Sequence, residues 1–358
     1  CLFIGAMMGL VFSTNLIFIY MFWEISAICC WRLIGFYREE VTVHFANKAF
    51  IMTVGGALVM LIGFVGIYGE TGTFDLTVMK GTHIPAWTVV FILFGILSKS
   101  ATFPLHSWLP DAGVAPSPVT SLLHAAVLVK IGVYAYVRLF VVTFEIDEVF
   151  TAAVPIIAAV SALISAGVAM RENNIKRVIA YSTISQLAFI LVGLSCGNEI
   201  GVVGGMLYIL MHSAAKGGLF LCAGIVEHNL HTKDMSKMGG LYKSMPFTTF
   251  AFILCAFSVM GIPPFGGFFA KYLVIDGIIS SGNIALGIVF ILGAVMTVLY
   301  LIRLFVKVFL GPTQTGRDVK EGTPLMVVSV MILAVLTLAL GIFISVPSGL
   351  ASLIGGWM

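Results

Sequence analysis

Apolar residues fall along this chain in long runs separated by short polar connections. Eleven runs can be marked, at 2–12, 15–37, 49–68, 86–105, 118–142, 150–170, 178–196, 200–226, 246–279, 284–311 and 324–346. A helix needs about 20 apolar residues to cross a bilayer, so the pattern predicts an all-α, polytopic membrane bundle of about eleven spans. The 246–279 run is too long for one straight span and holds Pro263, Pro264, Gly266 and Gly267 in the stretch GIPPFGGFF, which predicts a broken helix. The first run is cut short. The chain opens at Cys1, without a basic segment or a small-residue cleavage site, and reads as a chain lacking its true beginning rather than as a signal peptide.

Composition agrees. Of 358 residues, 60% are hydrophobic and 10% charged, against about 25% charged in an ordinary soluble domain, and the mean hydropathy is +1.10. These values exclude a soluble domain, a disordered chain, collagen and a disulfide scaffold. A net charge of +3 over this length gives no basic patch, which excludes nucleic acid as a partner. The six cysteines form no C-x-x-C pair and read as small packing residues. No nucleotide, haem or metal-ligand motif appears, so no cofactor and no metal is expected, and any driving chemistry lies on another subunit.

The basic residues sort by connection. Numbering the connections alternately, one side holds Arg32, Arg38, Lys48, Arg171, Lys176, Arg177, Lys233, Lys237, Lys243, Arg303, Lys307, Arg317 and Lys320, and the other holds Lys80 and Arg138. The positive-inside rule makes the first side cytoplasmic and places the C-terminus outside. The acidic loop Glu145, Asp147, Glu148 falls on the outer side and reads as a solvated turn.

Four lysines remain, Lys99, Lys130, Lys216 and Lys271, all inside apolar runs, together with Glu24, His124 and His212. An ionisable residue near the bilayer centre costs roughly 2.5–3.5 kcal/mol, so these groups are expected to face the bundle interior, to find partners or to meet water. Each has a plain structural alternative: a packing pair for Glu24, snorkelling for Lys99, a structural hydrogen bond for His124. His124 and Lys130 are six residues apart and need not touch. His212 and Lys216 stand at i, i+4 and share a helix face. Lys99 lies just before Pro104, and Lys271 just after the GIPPFGGFF break. Irregular backbone in a membrane is tolerated where it lines a wet or protein-filled interior, and broken spans in two halves point to an ion pathway. No residue-level identity between the halves is visible.

The stretch KSATFPLHSWLPDAGVAPSPVTSLLHAAVLVKIGVYAYVR (99–138) resembles the proton-antiporter module of complex I membrane subunits, of multisubunit Mrp-type Na+/H+ antiporters and of membrane-bound energy-converting hydrogenases. FWEISAICCWRLIGF (22–36) resembles that family's helix five, MHSAAKGGLFLCAG (211–224) its helix eleven and GIPPFGGFFAKYLVI (261–275) its broken helix twelve. The resemblance implies a fourteen-helix core with two inverted five-helix repeats. The chain would enter this core at helix four, with a first repeat over 1–142, a second over 150–311 and a terminal helix over 324–346. It further implies that Glu24 and Lys99 form a switchable pair, that Lys130 with His124 and His212 with Lys216 relay a proton laterally, and that Lys271 ends the path. The end at Met358 without a long lateral helix is taken to favour the shorter subunits or the Mrp and hydrogenase relatives.

The expected function is therefore a proton-translocating subunit of an energy-converting complex, driven by redox chemistry elsewhere; the alternative is an Mrp-type Na+/H+ antiporter subunit. Expected partners are other membrane subunits, including antiporter-like paralogues, a peripheral redox arm, the lipid bilayer, and protons with Na+ as the alternative ion. The expected location is the plasma membrane of a bacterium or archaeon. A stand-alone solute carrier fits less well, because the charges are scattered over five runs rather than gathered at one pocket. A scaffold fits poorly with four costly lysines.

Overall fold

The computed structural model describes residues 1–312 and 319–355, so Arg317 and Met358 lie outside the described residues. The chain is helical almost throughout: α1 (Leu2–Phe12), α2 (Leu16–Ile34), α3 (Glu40–Thr71), α4 (Ala86–Lys99), α5 (Trp108–Asp111), α6 (Ser117–Ser121), α7 (Leu128–Tyr136), α8 (Glu148–Arg171), α9 (Ile175–Ser195), α10 (Glu199–Leu230), α11 (Pro246–Met260), α12 (Gly266–Ser280), α13 (Ile284–Phe305), α14 (Pro324–Ile342) and α15 (Ser345–Gly355). Eight helical segments are long and apolar enough to cross a membrane, and Leu2–Phe12, Ala86–Lys99 and Pro246–Met260 are shorter apolar helices. Together they account for the eleven runs.

Local chemistry sets the boundaries. Asn15, Asn174 and Asn198 cap α2, α9 and α10, each side-chain oxygen accepting a first-turn N–H. Pro246 and Pro324 open α11 and α14, where a missing N–H costs nothing.

Two spans break, and they break alike. α4 stops at Lys99, Ala101 takes a φ of 50°, and Thr102 N–H closes back on the Leu97 carbonyl at 2.9 Å. α11 stops at Met260, Gly261 takes a φ of 82°, and Ile262 N–H closes on the Phe257 carbonyl at 3.0 Å. A third span, α6 to α7, is interrupted by a π-helical turn over Leu122–Ala126 and followed by another over Val137–Val141. Such turns are frequent at functional sites.

The likeness of the halves extends further. Asn15 pairs antiparallel with Asp75, and Asn174 with Asp234. Asp75 accepts from the N–H and hydroxyl of Thr77, and Asp234 from those of Ser236. Both bridges join the start of one helix to the end of the next, yet they lie on opposite faces. α3 begins on the face where Lys48 meets Asp111 and Arg177, near Asn174, and ends on the other, beside Asp75. The repeat is written in the caps and turns rather than in the apolar residues.

Connections on the Asn174 face are tied together. Arg177 bonds Glu172 and Asp111, Arg303 bonds the Glu172 carbonyl and Asn173, and Tyr242 N–H meets the Phe309 carbonyl. On the opposite face the acidic loop is not a free turn. Phe144–Glu145 pairs in parallel with Thr82–His83, and Asp147 bonds His83 at 3.0 Å.

Burial raises the Glu172 carboxyl, but N–H bonds from Asn174 and Asn173 and the Arg177 guanidinium more than offset this and hold it below its usual range. Its stabilising contribution is therefore present above the unfolded value of about 4.3 and is lost as pH falls through the lower folded value. The thermal midpoint of the detergent-solubilised protein should drop more steeply below about pH 4 in wild type than in Glu172→Gln.

α7 crosses the α4 break at Gly132, where an added Cβ would stand 2.8 Å from the Ile96 carbonyl oxygen and 2.9 Å from Ser100 N. Backbone cannot move aside as a side-chain tip can. Gly132→Leu should cost about 3 kcal/mol or more, read as a lowered thermal midpoint, whereas Gly55→Leu, with open space around it, should be neutral.

Candidate functional site

Lys99, His124, Lys130, His212, Lys216 and Lys271 are all buried, and Glu24 is half-buried. Lys99 ends α4 and is 0% exposed, so it does not snorkel. Its Nζ donates to the Trp23 carbonyl at 3.2 Å and sits 5.3 Å from the centre of the Trp23 ring. Glu24 is the next residue on α2, half-buried, with Oε1 unpartnered. Among the described residues Glu24 and Lys99 form no ion pair. They are neighbours in a position to meet, not a closed bridge.

The relay residues pair differently from the expectation. Lys130, on α7, places Nζ 3.0 Å from His212 Nδ1 on α10. The shared helix face had set His212 beside Lys216, while the resemblance grouped Lys130 with His124, which by spacing need not touch. A shared face fixes where side chains start; a long lysine ends where lone pairs are. Lys216 turns instead to α9, donating to Ser182 Oγ at 2.5 Å and to the Ile179 carbonyl at 3.0 Å. His124 lies in the π-helical turn with its ring 4.5 Å from that of Phe220, and both of its nitrogens are buried and unpartnered, as is Nε2 of His212.

Lys271, on α12, donates to the Val259 carbonyl at 2.8 Å. This oxygen lies in the last turn of α11, where the break leaves carbonyls without helical partners. The ammonium also lies 4.8 Å from the Phe189 ring centre and 5.9 Å from that of Tyr208.

Several buried polar residues near these groups were missed from sequence. Tyr208 donates to Gln186 Oε1, Gln186 Nε2 donates to Thr297 and Tyr300, and Tyr300 donates to Ser182. Neutral polar residues carry no signal of their own in an apolar run, since Ser and Thr satisfy helix carbonyls in any span. Gln186, fully buried in α9, was the one legible clue.

Lys176 also changes place. Counted with the cytoplasmic loops, it is 2% exposed, donates to the Ala115 carbonyl at 3.3 Å and pairs with Glu227 at 2.5 Å. Glu227 also takes Lys233 at 3.2 Å and the Ser117 hydroxyl at 3.3 Å. These groups line a cavity of about 1380 Å³ that opens where α6 meets α10. Glu227→Gln should destabilise by about 2–3 kcal/mol, because the Lys176 ammonium would lose its counter-charge. Adding Lys176→Met should restore most of the thermal midpoint.

The family described as NADH:quinone oxidoreductase/Mrp antiporter, transmembrane, matches residues 13–297. The chain is 32% identical to the Na(+)/H(+) antiporter subunit A1 of Staphylococcus saprophyticus, over 97% of this chain and 47% of the relative. It is 35% identical to the NAD(P)H-quinone oxidoreductase chain 5 of Synechocystis sp., over 90% of this chain and 50% of the relative. It thus spans about half the length of the curated relatives it matches, and its end at Met358 does not separate the branches. Among solved structures, a chain of the Mrp complex from Dietzia sp. superposes with a TM-score of 0.91 at 23% identity, covering 99% of this chain and 76% of that one. A chain of the membrane-bound sulfane sulfur reductase, an archaeal respiratory membrane complex, gives 0.89 at 24%, covering 99% and 74%. At these identities the likeness concerns the fold.

Proposed function

Since the chain belongs to the NADH:quinone oxidoreductase/Mrp antiporter transmembrane family, we propose that it is an antiporter-like subunit of an Mrp-type Na+/H+ antiporter. Its proton path comprises Glu24, Lys99, His124, Lys130, His212, Lys216 and Lys271. The similarity to the Staphylococcus antiporter subunit along nearly the whole chain carries this reading and moves it ahead of the redox-driven one. The redox-driven reading stays second, favoured by the quinone oxidoreductase relative.

Proton movement follows from the pairings. An ammonium in a low-dielectric interior is held by whatever lone pairs surround it. When the Glu24 carboxylate approaches Lys99, opposite charge offsets the desolvation of both. When it withdraws, the Trp23 carbonyl alone remains, and the proton passes toward the interior water. Lys130 and His212 form the next station, Lys216 the one after, and Lys271 the last. A neutral histidine has one donor and one acceptor nitrogen, so His124 can take up a proton at one of its two free nitrogens, while His212, with Nδ1 accepting from Lys130, offers an N–H at Nε2.

The same reading takes residues 1–142 and 150–311 as the two inverted repeats and 324–346 as a terminal helix, which the paired bridges and paired breaks support. It sets the Asn174 face in the cytoplasm and the C-terminus outside, with the chain in the plasma membrane of a bacterium or archaeon beside other membrane subunits.

The test uses the whole complex in inverted membrane vesicles. Sodium added without any reducing donor should drive proton movement in wild type. Glu24→Gln or Lys99→Ala should lower it roughly a hundredfold while the subunits still copurify. Unimpaired exchange by assembled variants would remove these residues from the path, and proton movement only with a reducing donor would favour the second reading.

A further inference from the structure

Between Lys216 and Lys271 runs a set of buried hydrogen bonds that converge on Ser182. Tyr208 Oη donates to Gln186 Oε1 at 2.5 Å, Gln186 Nε2 donates to Tyr300 Oη at 3.2 Å, and Tyr300 Oη donates to Ser182 Oγ at 2.9 Å. From the other end, Lys216 Nζ donates to the same Ser182 Oγ at 2.5 Å. Ser182, Gln186, Tyr208, Lys216 and Tyr300 are each at most 1% exposed.

We propose that Gln186 is a positioning residue that fixes the direction of this chain and thereby loosens the proton on Lys216. An amide has a dedicated acceptor and a dedicated donor, and it does not exchange them as a hydroxyl does. With its oxygen filled by Tyr208 and its nitrogen given to Tyr300 and Thr297, Gln186 leaves the Tyr300 hydrogen facing Ser182. Ser182 then offers Lys216 lone pairs already polarised by a second donor. Two donors that converge on one oxygen compete, so this acceptor holds the ammonium less firmly than a hydroxyl free of Tyr300 would. The amide also passes no excess proton, so the chain links Lys216 to the Tyr208 ring beneath Lys271 electrostatically without short-circuiting the two lysines. The bonds join three helices, α9, α10 and α13, so a shift of any one changes what Lys216 meets.

The other titratable groups around Lys216 are cationic or neutral. His212 and Tyr208 share its helix, His124 comes from the π-helical turn, Lys130 from α7, Lys271 from α12, Tyr300 from α13 and Cys255 from α11. The stretches Ser117–Ser121 and Pro324–Ile342 bring no titratable side chain. Among the described residues nothing anionic is at hand, which leaves Ser182 and the Ile179 carbonyl as the acceptors that decide.

This inference rests on the proton path proposed above, and its test separates the two. The readout is proton movement by the whole complex in inverted vesicles, driven by sodium or by the reducing donor to which wild type responds. The pH dependence is recorded for Gln186→Met, Tyr300→Phe, the double variant and Lys216→Met. Gln186→Met and Tyr300→Phe should each move the alkaline limb of the profile to higher pH by about half a pH unit. The double variant should move it no further than either single change, because both act through Ser182. Rates that fall with the limb unmoved, or shifts that add, would overturn the positioning role. Unchanged movement in Lys216→Met would instead overturn the path on which it rests.

Discussion

A buried ammonium must be given lone pairs, and the way this protein supplies them organises the rest of its structure. Lys99 donates to the carbonyl of Trp23, Lys176 to that of Ala115, Lys216 to that of Ile179 and Lys271 to that of Val259. Three of these four lysines have no carboxylate in salt-bridge reach among the described residues; only Lys176 does. A carbonyl dipole is weaker than a carboxylate, so it holds an ammonium without locking it. It also costs less when the proton departs, because no buried anion is left behind. A tight ion pair would favour one protonation state too strongly for the proton path proposed above.

Carbonyls are normally consumed by the helix, and this explains the irregular spans. The breaks after Lys99 and Met260 and the π-helical turn at Leu122–Ala126 release backbone oxygens or re-aim side chains within the bilayer. Each lies beside one of the ionisable residues: the α4 break at Lys99, the α11 break at Lys271, the turn around His124. The glycines that let neighbours close over these points belong to the same design. Gly132 is pressed against the first break and Gly267 against the Ser258 carbonyl at the second. Only backbone without Cβ can come so close and keep water from flooding the released groups.

Much of this was legible in the sequence, for reasons that also mark where legibility ends. Span number and the second break follow from run length and from Pro263 and Pro264, because a bilayer imposes a fixed length and prolines interrupt the helix ladder. The seven ionisable residues stand out because charge is rare in the runs. Their pairings were not legible. Periodicity gave the shared face of His212 and Lys216, but the π-helical turn shifts the register of α6 to α7 and brings Lys130 to His212 instead. Lys176 looked like a loop residue because it follows the Asn174 cap, and only tertiary packing buries it against Glu227. No residue-level identity between the halves was visible because their likeness lies in polar turn residues, Asn15 with Asp75 and Asn174 with Asp234, rather than in the apolar runs between them.

The inverted arrangement has a mechanical consequence. The two asparagine–aspartate bridges sit on opposite faces, and the Lys48–Asp111–Arg177 cluster fastens the first half to the second on one of them. Asp111 lies in α5, just past the first break, and Arg177 in the first turn of α9, whose later turns carry Ser182 and Gln186. The segment after Lys99 is therefore bonded through Asp111 and Arg177 to the helix that supplies the acceptors of Lys216. Electrostatic events at the Glu24 and Lys99 end and hydrogen bonding at the Lys216 end share one rigid element. Coupling between the halves needs no charge to travel between them, only a helix that both halves hold.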